Sequence, residues 1–260
     1  MFVAGDALFR VSPIRGCLKL PEDWGRNMNG FDLAITSFLN GFAHRSIRFD
    51  EFVIWISTNN LVKGTVVIGL IWSLWFLNAD MRSRREALLA AMMASFPALV
   101  VSRILSWTFS RPRPLNETRL LLRVPYGISR ANWEGVSSFP SDHAVFFFAL
   151  ASGIFFASRR VGWFAFFYVS MVICLPRIFI GEHYTTDILA GAAIGISFAW
   201  LANLPAIRKP LTNWPLQWQE ARPAQFYFFF FLLTYQMAEV FDSVLETLNY
   251  AKAIVHGKVF

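Results

Sequence analysis

Apolar residues come in long blocks along this chain. The blocks cover about 61–79, 86–108, 142–158, 161–180 and 187–204, and a less regular sixth covers about 226–245. A helix needs about 20 mainly apolar residues to cross the roughly 30 Å hydrocarbon core of a membrane. The pattern therefore predicts an all-α integral membrane protein with five to six transmembrane helices, and it leaves open whether the sixth block, which carries Glu239 and Asp242 toward its end, spans.

The segments around these blocks are shorter or more polar. FDLAITSFLNGFAHRSI and FDEFVIWIS favour helices that are too short and interrupted to span, so we expect them at the membrane interface. Residues 1–30 mix Pro, Gly and charge, and we expect an interfacial or disordered leader of unassigned role. Residues 31–260 are expected to form one membrane domain, in which Pro/Trp-rich 205–223 is predicted to be a linker between spans.

Composition and charge support a membrane protein and narrow its partners. Hydrophobic residues make up 55% of the 260 residues and charged residues only 16%, which is unusual for a soluble domain. The net charge of +7 suits loops that face anionic lipid or an anionic substrate. The basic residues sit in short clusters without a nucleic-acid-binding motif, so nucleic acid is not an expected partner.

Basic residues in alternate loops predict the orientation. The first, third and fifth loops between spans contain Arg82, Arg84, Arg85, Arg159, Arg160, Arg208, Lys209 and Arg222. Because cytoplasmic loops are rich in Lys and Arg, these loops are expected on the cytoplasmic side, and the second and fourth loops on the outer side. The second loop nevertheless holds five arginines, Arg111, Arg113, Arg119, Arg123 and Arg130, which topology does not explain. We expect a functional reason for them.

Three polar motifs flank the outer loops. SRPRP (110–114) ends the second span, FPSDHA (139–144) opens the third, and RIFIGEHYTTDILAG (177–191) ends the fourth and begins the fifth. Two guanidiniums after a helix end and free N–H groups at a helix start both favour an anion. Arginines and histidines at one membrane depth are costly unless they meet an anion or one another. The motifs therefore predict a phosphate site.

The spacing of the third motif indicates the chemistry. His183 and Asp187 are four residues apart, so they share a face if a helix begins there, and the carboxylate then holds one imidazole nitrogen. This makes His183 a candidate nucleophile toward phosphorus. His143 would protonate the leaving oxygen, and Arg113 and Arg177 would bind the other phosphate oxygens. No metal or other cofactor is expected, because the chain lacks the carboxylate cluster of a two-metal hydrolase.

The order Arg-Pro, Pro-Ser-x-His and Arg-x5-His-x3-Asp, over about residues 103–191, resembles the three signature motifs of the type 2 phosphatidic acid phosphatase (PAP2) superfamily. This resemblance implies the helical bundle that the superfamily shares with vanadium haloperoxidases. It also implies a nucleophile, its supporting carboxylate, a general acid and three phosphate ligands: His183, Asp187, His143, Arg113, Ser141 and Arg177.

Three positions depart from the family pattern. The family lysine seven residues before Arg113 is Ser106, and Arg103, one helical turn earlier, is the candidate for its place. The usual glycine of the second motif is Asp142, which either orients a basic group at the pocket or faces solvent. Pro176 replaces the serine before the third-motif arginine. We also include Arg111, Arg103 and Asp142 among the expected substrate-binding residues.

SFPSDHAVFFF followed by GEHYTTD resembles the bacitracin-resistance type of undecaprenyl-diphosphate phosphatase within the superfamily. This implies a plasma-membrane enzyme whose site faces outward and which recycles the cell-wall lipid carrier. The alternatives are a phosphatase for phosphatidate, phosphatidylglycerophosphate or a lipid A phosphate, and a non-catalytic lipid-binding or transport protein. In loop 115–138, the basic side chains could bind a second phosphate or only lipid headgroups. The sequence does not determine the oligomeric state.

Overall fold

The computed structural model describes residues 29–77, 80–130 and 137–240, apart from the side chain of Arg119. This part of the chain contains helices and connecting turns and no strand, which confirms the all-α prediction. Most of the predicted leader and the end of the sixth apolar block, with Asp242, lie outside the described residues. The α-helices are α1 Gly30–Asn40, α2 Ile47–Thr58, α3 Val66–Trp75, α4 Met81–Thr108, α5 Asp142–Ala157, α6 Arg159–Tyr168, α7 Leu175–Phe179, α8 Thr185–Ala202, α9 Pro205–Ala221 and α10 Pro223–Ala238.

Three helices of the described part are long and apolar enough to cross a membrane. They are α4, α8 and the run Arg159–Phe179, in which a π-helical segment joins α6 to α7. A fourth candidate is α2 together with Leu61–Trp75, a pair bent by 58°. α5 is apolar but has only 16 residues, about 24 Å of helix at 1.5 Å per residue. The described residues thus contain three or four span candidates, against the five to six predicted.

The predicted linker at 205–223 is wrong, because most of it is helix α9. Pro205 occupies the first turn, where no backbone donor is needed, and Pro210 and Pro215 lie inside the helix. Side chains near both ends of α9 contact the first turns of α4: Arg208 pairs with Glu86 at 3.5 Å, and Arg85 Nη1 donates to Gln219 Oε1 at 3.0 Å. Tertiary contacts therefore stabilise a helix that the proline content disfavoured.

Helix α5 is the centre of the hydrophobic core. Its side chains Phe146, Phe147 and Ile154 are fully buried among α4, α6 and α8. A Cβ atom on Gly195 of α8 would lie 2.1 Å from the carbonyl oxygen of Val145, so these two helices are in backbone contact. Small residues allow this close packing in membrane proteins. Because α5 and α8 pack so closely, their first turns lie beside each other at one end of the bundle.

Helix α1 has its polar side inward. Asp32, Thr36 and Asn40, spaced four residues apart, are all buried, whereas Phe31 and Phe38 are exposed. A soluble amphipathic helix has the opposite arrangement, with its apolar stripe toward the core. The inward polar stripe of α1 packs against the α7 and α8 region, and its outward apolar side suits the interfacial placement predicted from the sequence.

Candidate active site

The structure brings the three motifs together through backbone hydrogen bonds. Ser138 N donates to the carbonyl of Arg111 at 2.9 Å, which joins the first motif to the approach of the second. Ser141 N donates to the carbonyl of Asp187 at 3.2 Å, which joins the second motif to the third. The segment after Arg113 is tied to the loop before α8, because Leu115 N donates to Gly181 O at 3.0 Å.

Several polar groups of this site are buried, and some of their atoms have no hydrogen-bond partner. Arg113, Ser141, Arg177 and His183 are all buried residues. Among the described residues, Ser141 Oγ, His143 Nε2 and Arg177 Nε are buried atoms without a partner. Leaving one such atom unsatisfied costs about 1–3 kcal/mol, so a cluster of them indicates a place where a polar ligand binds. We call Arg113, Ser141, His143, Arg177 and His183 the pocket.

The turn between α7 and α8 positions His183. Gly181 has φ of +77°, which glycine adopts without strain, and the chain then folds back over the end of α7. Glu182 N and His183 N both donate to the carbonyl of Arg177, at 3.0 and 3.4 Å. The side chain of Glu182 also pairs with Arg177 Nη1 at 2.5 Å. The third-motif arginine and histidine are therefore held by one compact turn.

The imidazole of His183 has a defined orientation, and its surroundings disfavour the protonated form. Its Nδ1 lies 2.8 Å from the carbonyl oxygen of Ser138. A carbonyl only accepts, so Nδ1 carries the hydrogen and the lone pair of the neutral ring is on Nε2. Burial lowers the pKa of His183 well below its usual value, and the charges of Arg113 and Arg177 lower it further. This is the tautomer that a nucleophilic Nε2 needs.

Asp187 has partners that differ from the prediction. α8 begins at Thr185, so His183 precedes the helix and does not share a helical face with Asp187. One carboxylate oxygen accepts from Tyr184 N at 2.8 Å and the other from Arg111 Nη1 at 2.5 Å. The carbonyl of Ser138 thus takes the place at His183 Nδ1 that the sequence assigned to Asp187, because this carboxylate caps its own helix.

Arg111, whose substrate binding stays a prediction, contacts several protein groups. Besides Asp187, its guanidinium donates to Thr186 Oγ1 and to Asp32 Oδ2, each at 2.8 Å. The guanidinium carbon lies 3.9 Å from the centre of the Tyr184 ring. The guanidinium of Arg111 therefore contacts two carboxylates and one aromatic ring. We call Asp32, Arg111, Thr186 and Asp187 the arginine bridge.

Asp142 contacts α4. It accepts a hydrogen bond from Ser102 Oγ at 2.6 Å and forms an ion pair with Arg103. Of the two arrangements considered for this carboxylate, the structure has the one in which it meets a basic group. Arg103, the candidate for the place of the family lysine, is therefore paired with the residue that replaces the family glycine. Substrate binding by either residue stays a prediction.

Residues 85–206 match the family model of the PAP2 superfamily. The chain carries a PAP2 superfamily domain. The matched region contains all three motifs and the helices α4, α5 and α8 that position them. The predicted domain limits of 31–260 are wider than this match and stay a prediction. With its apolar helices and this domain, the chain is a multi-pass membrane protein.

Three curated proteins are similar to the chain. Undecaprenyl-diphosphatase BcrC of Bacillus subtilis (strain 168) is 23% identical over 163 residues, 63% of this chain and 78% of that protein. Putative undecaprenyl-diphosphatase YbjG of Escherichia coli (strain K12) is 24% identical over 197 residues, 72% and 91%. Bacitracin transport permease protein BcrC of Bacillus licheniformis is 37% identical over 60 residues, 23% and 29%. No solved structure matches the chain.

Lys63 is a pocket neighbour that the sequence analysis missed. It lies outside the PAP2 domain, in the π-helical turn Leu61–Thr65, and is buried. Its positive charge, with those of Arg177 and Arg113, acts on His143. The available signal was a lone lysine inside an apolar block, which marks a functional position in membrane proteins. Within the described part of the chain, no group of three His, Cys, Asp or Glu side chains is arranged to hold a metal ion.

The loop after the first motif is held by buried polar residues of α1 and α2. Asn40 Nδ2 donates to Arg123 O at 2.7 Å and Asn40 Oδ1 accepts from Arg123 N at 2.9 Å. Asp50, also buried, accepts from Tyr126 N at 3.0 Å. Arg130 Nη2 donates to the carbonyl of Leu122 at 3.1 Å. Binding of a second phosphate by this loop stays a prediction, and the side chain of Arg119 lies outside the described residues.

Proposed function

We propose that this protein is a membrane lipid phosphatase that hydrolyses undecaprenyl diphosphate to undecaprenyl phosphate and inorganic phosphate. One observation carries the proposal: the buried imidazole of His183 is fixed through Nδ1 to Ser138 O, which leaves Nε2 for attack. Arg113 and Arg177, whose charges act on this imidazole, are suited to bind a phosphate. The PAP2 domain supports lipid phosphate as the substrate class.

In the first step, His183 Nε2 attacks the terminal phosphorus. A nitrogen–phosphorus bond forms as the bond from phosphorus to the bridging oxygen breaks, and His143 gives a proton to that oxygen. Undecaprenyl phosphate leaves, and a phosphohistidine remains. Arg113, Arg177 and Ser141 bind the non-bridging oxygens, where negative charge is concentrated in the transition state.

In the second step, water attacks the phosphohistidine. His143, which lost its proton in the first step, takes one from this water, so the new phosphorus–oxygen bond forms as the nitrogen–phosphorus bond breaks. Inorganic phosphate leaves, His183 is neutral again, and His143 has regained the proton that it gave to the leaving oxygen. Asp187 acts in this scheme by holding Tyr184 N, and so the loop that carries the nucleophile.

The names of two relatives support undecaprenyl diphosphate as the substrate. The basic loops predicted on the cytoplasmic side support a pocket that opens on the outer face of the plasma membrane. A phosphatidate, phosphatidylglycerophosphate or lipid A phosphatase would use the same pocket, because each lipid offers the same terminal phosphoryl group. The name of a third relative mentions transport, and transport without hydrolysis is the alternative that does not need His183 as a nucleophile.

The test is phosphate release by the purified full-length protein in detergent with EDTA, from each of these lipids in turn. We expect undecaprenyl diphosphate to have the highest kcat/KM. His183→Ala is expected to lower turnover by about 10⁴-fold or more, because the covalent route is lost. His44→Gln is the matched control, since His44 is exposed and stacks on Tyr126 rather than lining the pocket.

The intermediate is tested separately from the substrate. Rapid acid-free quenching of turnover with ³²P in the terminal phosphate should leave label on the wild type and the His44→Gln variant, but not on His183→Ala. Preference for phosphatidate or another glycerophospholipid would reassign the substrate and keep the mechanism. Turnover that persists in His183→Ala would contradict the mechanism, and no release from any lipid by the wild type would contradict the phosphatase itself.

A further inference from the structure

Asp32 is a buried carboxylate that lies outside the PAP2 domain and contacts the first turn of the helix that follows the nucleophile. Only 1% of its surface is exposed. Its Oδ1 accepts from Thr186 N at 2.9 Å, and its Oδ2 accepts from Thr186 Oγ1 at 2.6 Å and from Arg111 Nη2 at 2.8 Å. Both oxygens are therefore committed to α8 and to Arg111.

Asp32 and Asp187 stabilise the same first turn of α8. Asp187 accepts from Tyr184 N, and Asp32 accepts from Thr186 N two residues later. The first N–H groups of a helix have no partner within the helix and carry partial positive charge, so each carboxylate is favourably placed. Tyr184 directly follows His183, and the position of the nucleophile depends on where this turn begins.

Arg111 connects the two carboxylates. It donates through Nη1 to Asp187 and through Nη2 to Asp32, so one guanidinium balances two buried negative charges. Burial acts to lower the pKa of Arg111, but the two carboxylates outweigh burial and raise it. Removing one carboxylate from such a network changes how the remaining charged groups are held. Asp32 can therefore influence Asp187 without touching it.

We propose that Asp32 is a positioning residue for the reaction at His183. It holds Arg111 and the first turn of α8, so helix α1, which precedes the PAP2 domain, completes the active site. This inference rests on the proposed function. Because Asp32 is bound to groups outside the pocket, its loss is expected to slow the chemical step and to leave substrate affinity unchanged.

The experiment compares kcat and KM for undecaprenyl diphosphate in the full-length wild type, Asp32→Asn and Asp50→Asn. Asn keeps an oxygen that can accept from Thr186 N but removes the charge that Arg111 meets. Asp50 is the matched control, because it is fully buried and accepts from His44 N and Tyr126 N, at 2.9 and 3.0 Å. Asp32→Asn is expected to lower kcat about tenfold, because one charge-assisted hydrogen bond is lost. KM is expected to stay within about twofold of the wild-type value. Asp50→Asn is expected to change kcat by less than about twofold.

A double-mutant cycle tests whether Asp32 acts through Arg111. The cycle combines Asp32→Asn with Arg111→Gln, and both single variants are measured beside the pair. If the two residues act as one unit, the double variant is no slower than Arg111→Gln alone. A loss of kcat that multiplies across the two changes would mean that Asp32 acts independently of Arg111, and would overturn the inference.

Folding is followed by thermal unfolding in the same detergent. If Asp32→Asn does not give folded protein, Thr186→Val replaces only the hydroxyl that links Asp32 to Arg111 with a methyl group, and kcat should fall about threefold. Equal losses in Asp32→Asn and Asp50→Asn, or an unchanged kcat in the folded variant tested, would overturn the inference alone. A wild type that releases no phosphate would overturn the proposed function and this inference together.

Discussion

The pocket and the arginine bridge both adjoin the loop that carries His183, and they differ in how fully their buried polar atoms are hydrogen-bonded. In the pocket, Ser141 Oγ and His143 Nε2 are buried atoms that accept and donate no hydrogen bond. In the bridge, both oxygens of Asp32 and both oxygens of Asp187 are bonded. Buried polar atoms near the same loop thus differ in hydrogen bonding, and this difference distinguishes a place for a ligand from a structural support.

The difference also explains why burial alone does not identify function. Asp32 and Asp187 are almost completely buried, but their negative charges are balanced by Arg111 and by helix N–H groups. A pocket that binds phosphate instead needs hydrogen-bond donors that are held in place and left unbonded before the ligand arrives. Variants in the pocket should therefore act mainly on turnover, and variants on the bridge side should act through position or stability.

The largest effect within this comparison is expected for His143→Ala. If His143 protonates the leaving oxygen, its loss should lower kcat on undecaprenyl diphosphate by about 10²–10⁴-fold. The loss should be much smaller with p-nitrophenyl phosphate, whose leaving group needs no proton. Release of phosphate and of nitrophenolate from the same preparation measures both. Equal losses with the two substrates would assign His143 to binding instead of acid catalysis.

A smaller effect is expected for Arg177→Lys. Lysine keeps the charge but loses the planar fork that can bind two phosphate oxygens and still contact Glu182, so kcat/KM should fall by about 10–100-fold. Arg159→Lys, at an exposed position at the start of α6, is the matched control and should change kcat/KM by less than about twofold. Steady-state phosphate release checks both variants. Equal changes in kcat/KM for the two variants would mean that Arg177 does not bind the phosphate.

The pH at which His183 is half protonated is expected to be lower than for an ordinary histidine. Burial, Arg113 and Arg177 lower the pKa, so the neutral imidazole should persist below the usual histidine value of about 6.5, where an ordinary imidazole gains a proton. The chain has only four histidines, so ¹⁵N-histidine NMR of the free protein can follow them, with His183→Asn to assign the signal. A midpoint at or above about 6.5 would contradict the described environment.

The smallest effect on turnover is expected for Asn40→Ala on the inward face of α1. Both hydrogen bonds to the backbone of Arg123 are lost, which should lower the free energy of unfolding by about 1–3 kcal/mol. Turnover at a temperature where the variant stays folded should change little, because Asn40 does not contact the bridge or the pocket. Ser73→Ala, at an exposed position, is the control for unfolding in detergent. A loss of turnover without a loss of stability would mean that Asn40, like Asp32, positions the active site.

Much of the pocket was predictable because its parts are short motifs. Arg113, Ser141, His143, Arg177 and His183 are marked by residue type and spacing in the chain. The groups around the pocket were not predictable in this way. Lys63 and Asp32 are distant in sequence from the motifs, and the carbonyl of Ser138 is a backbone group without a side-chain signature. Contacts of this kind depend on how helices pack, and no local pattern encodes them.

Helical structure and a membrane location were predictable from the amino-acid sequence alone, and the sequence motifs also predict which residue types would meet a phosphate. These properties follow from the length of apolar blocks and from local motif chemistry, which depend on near neighbours in the chain. Three features follow from long-range packing instead: α8 begins at Thr185, Asp187 binds Arg111, and α9 is a helix despite its prolines. The reason is physical: a helix boundary and the partner of a charged group are selected by long-range packing, which satisfies buried polar groups wherever a partner is close enough.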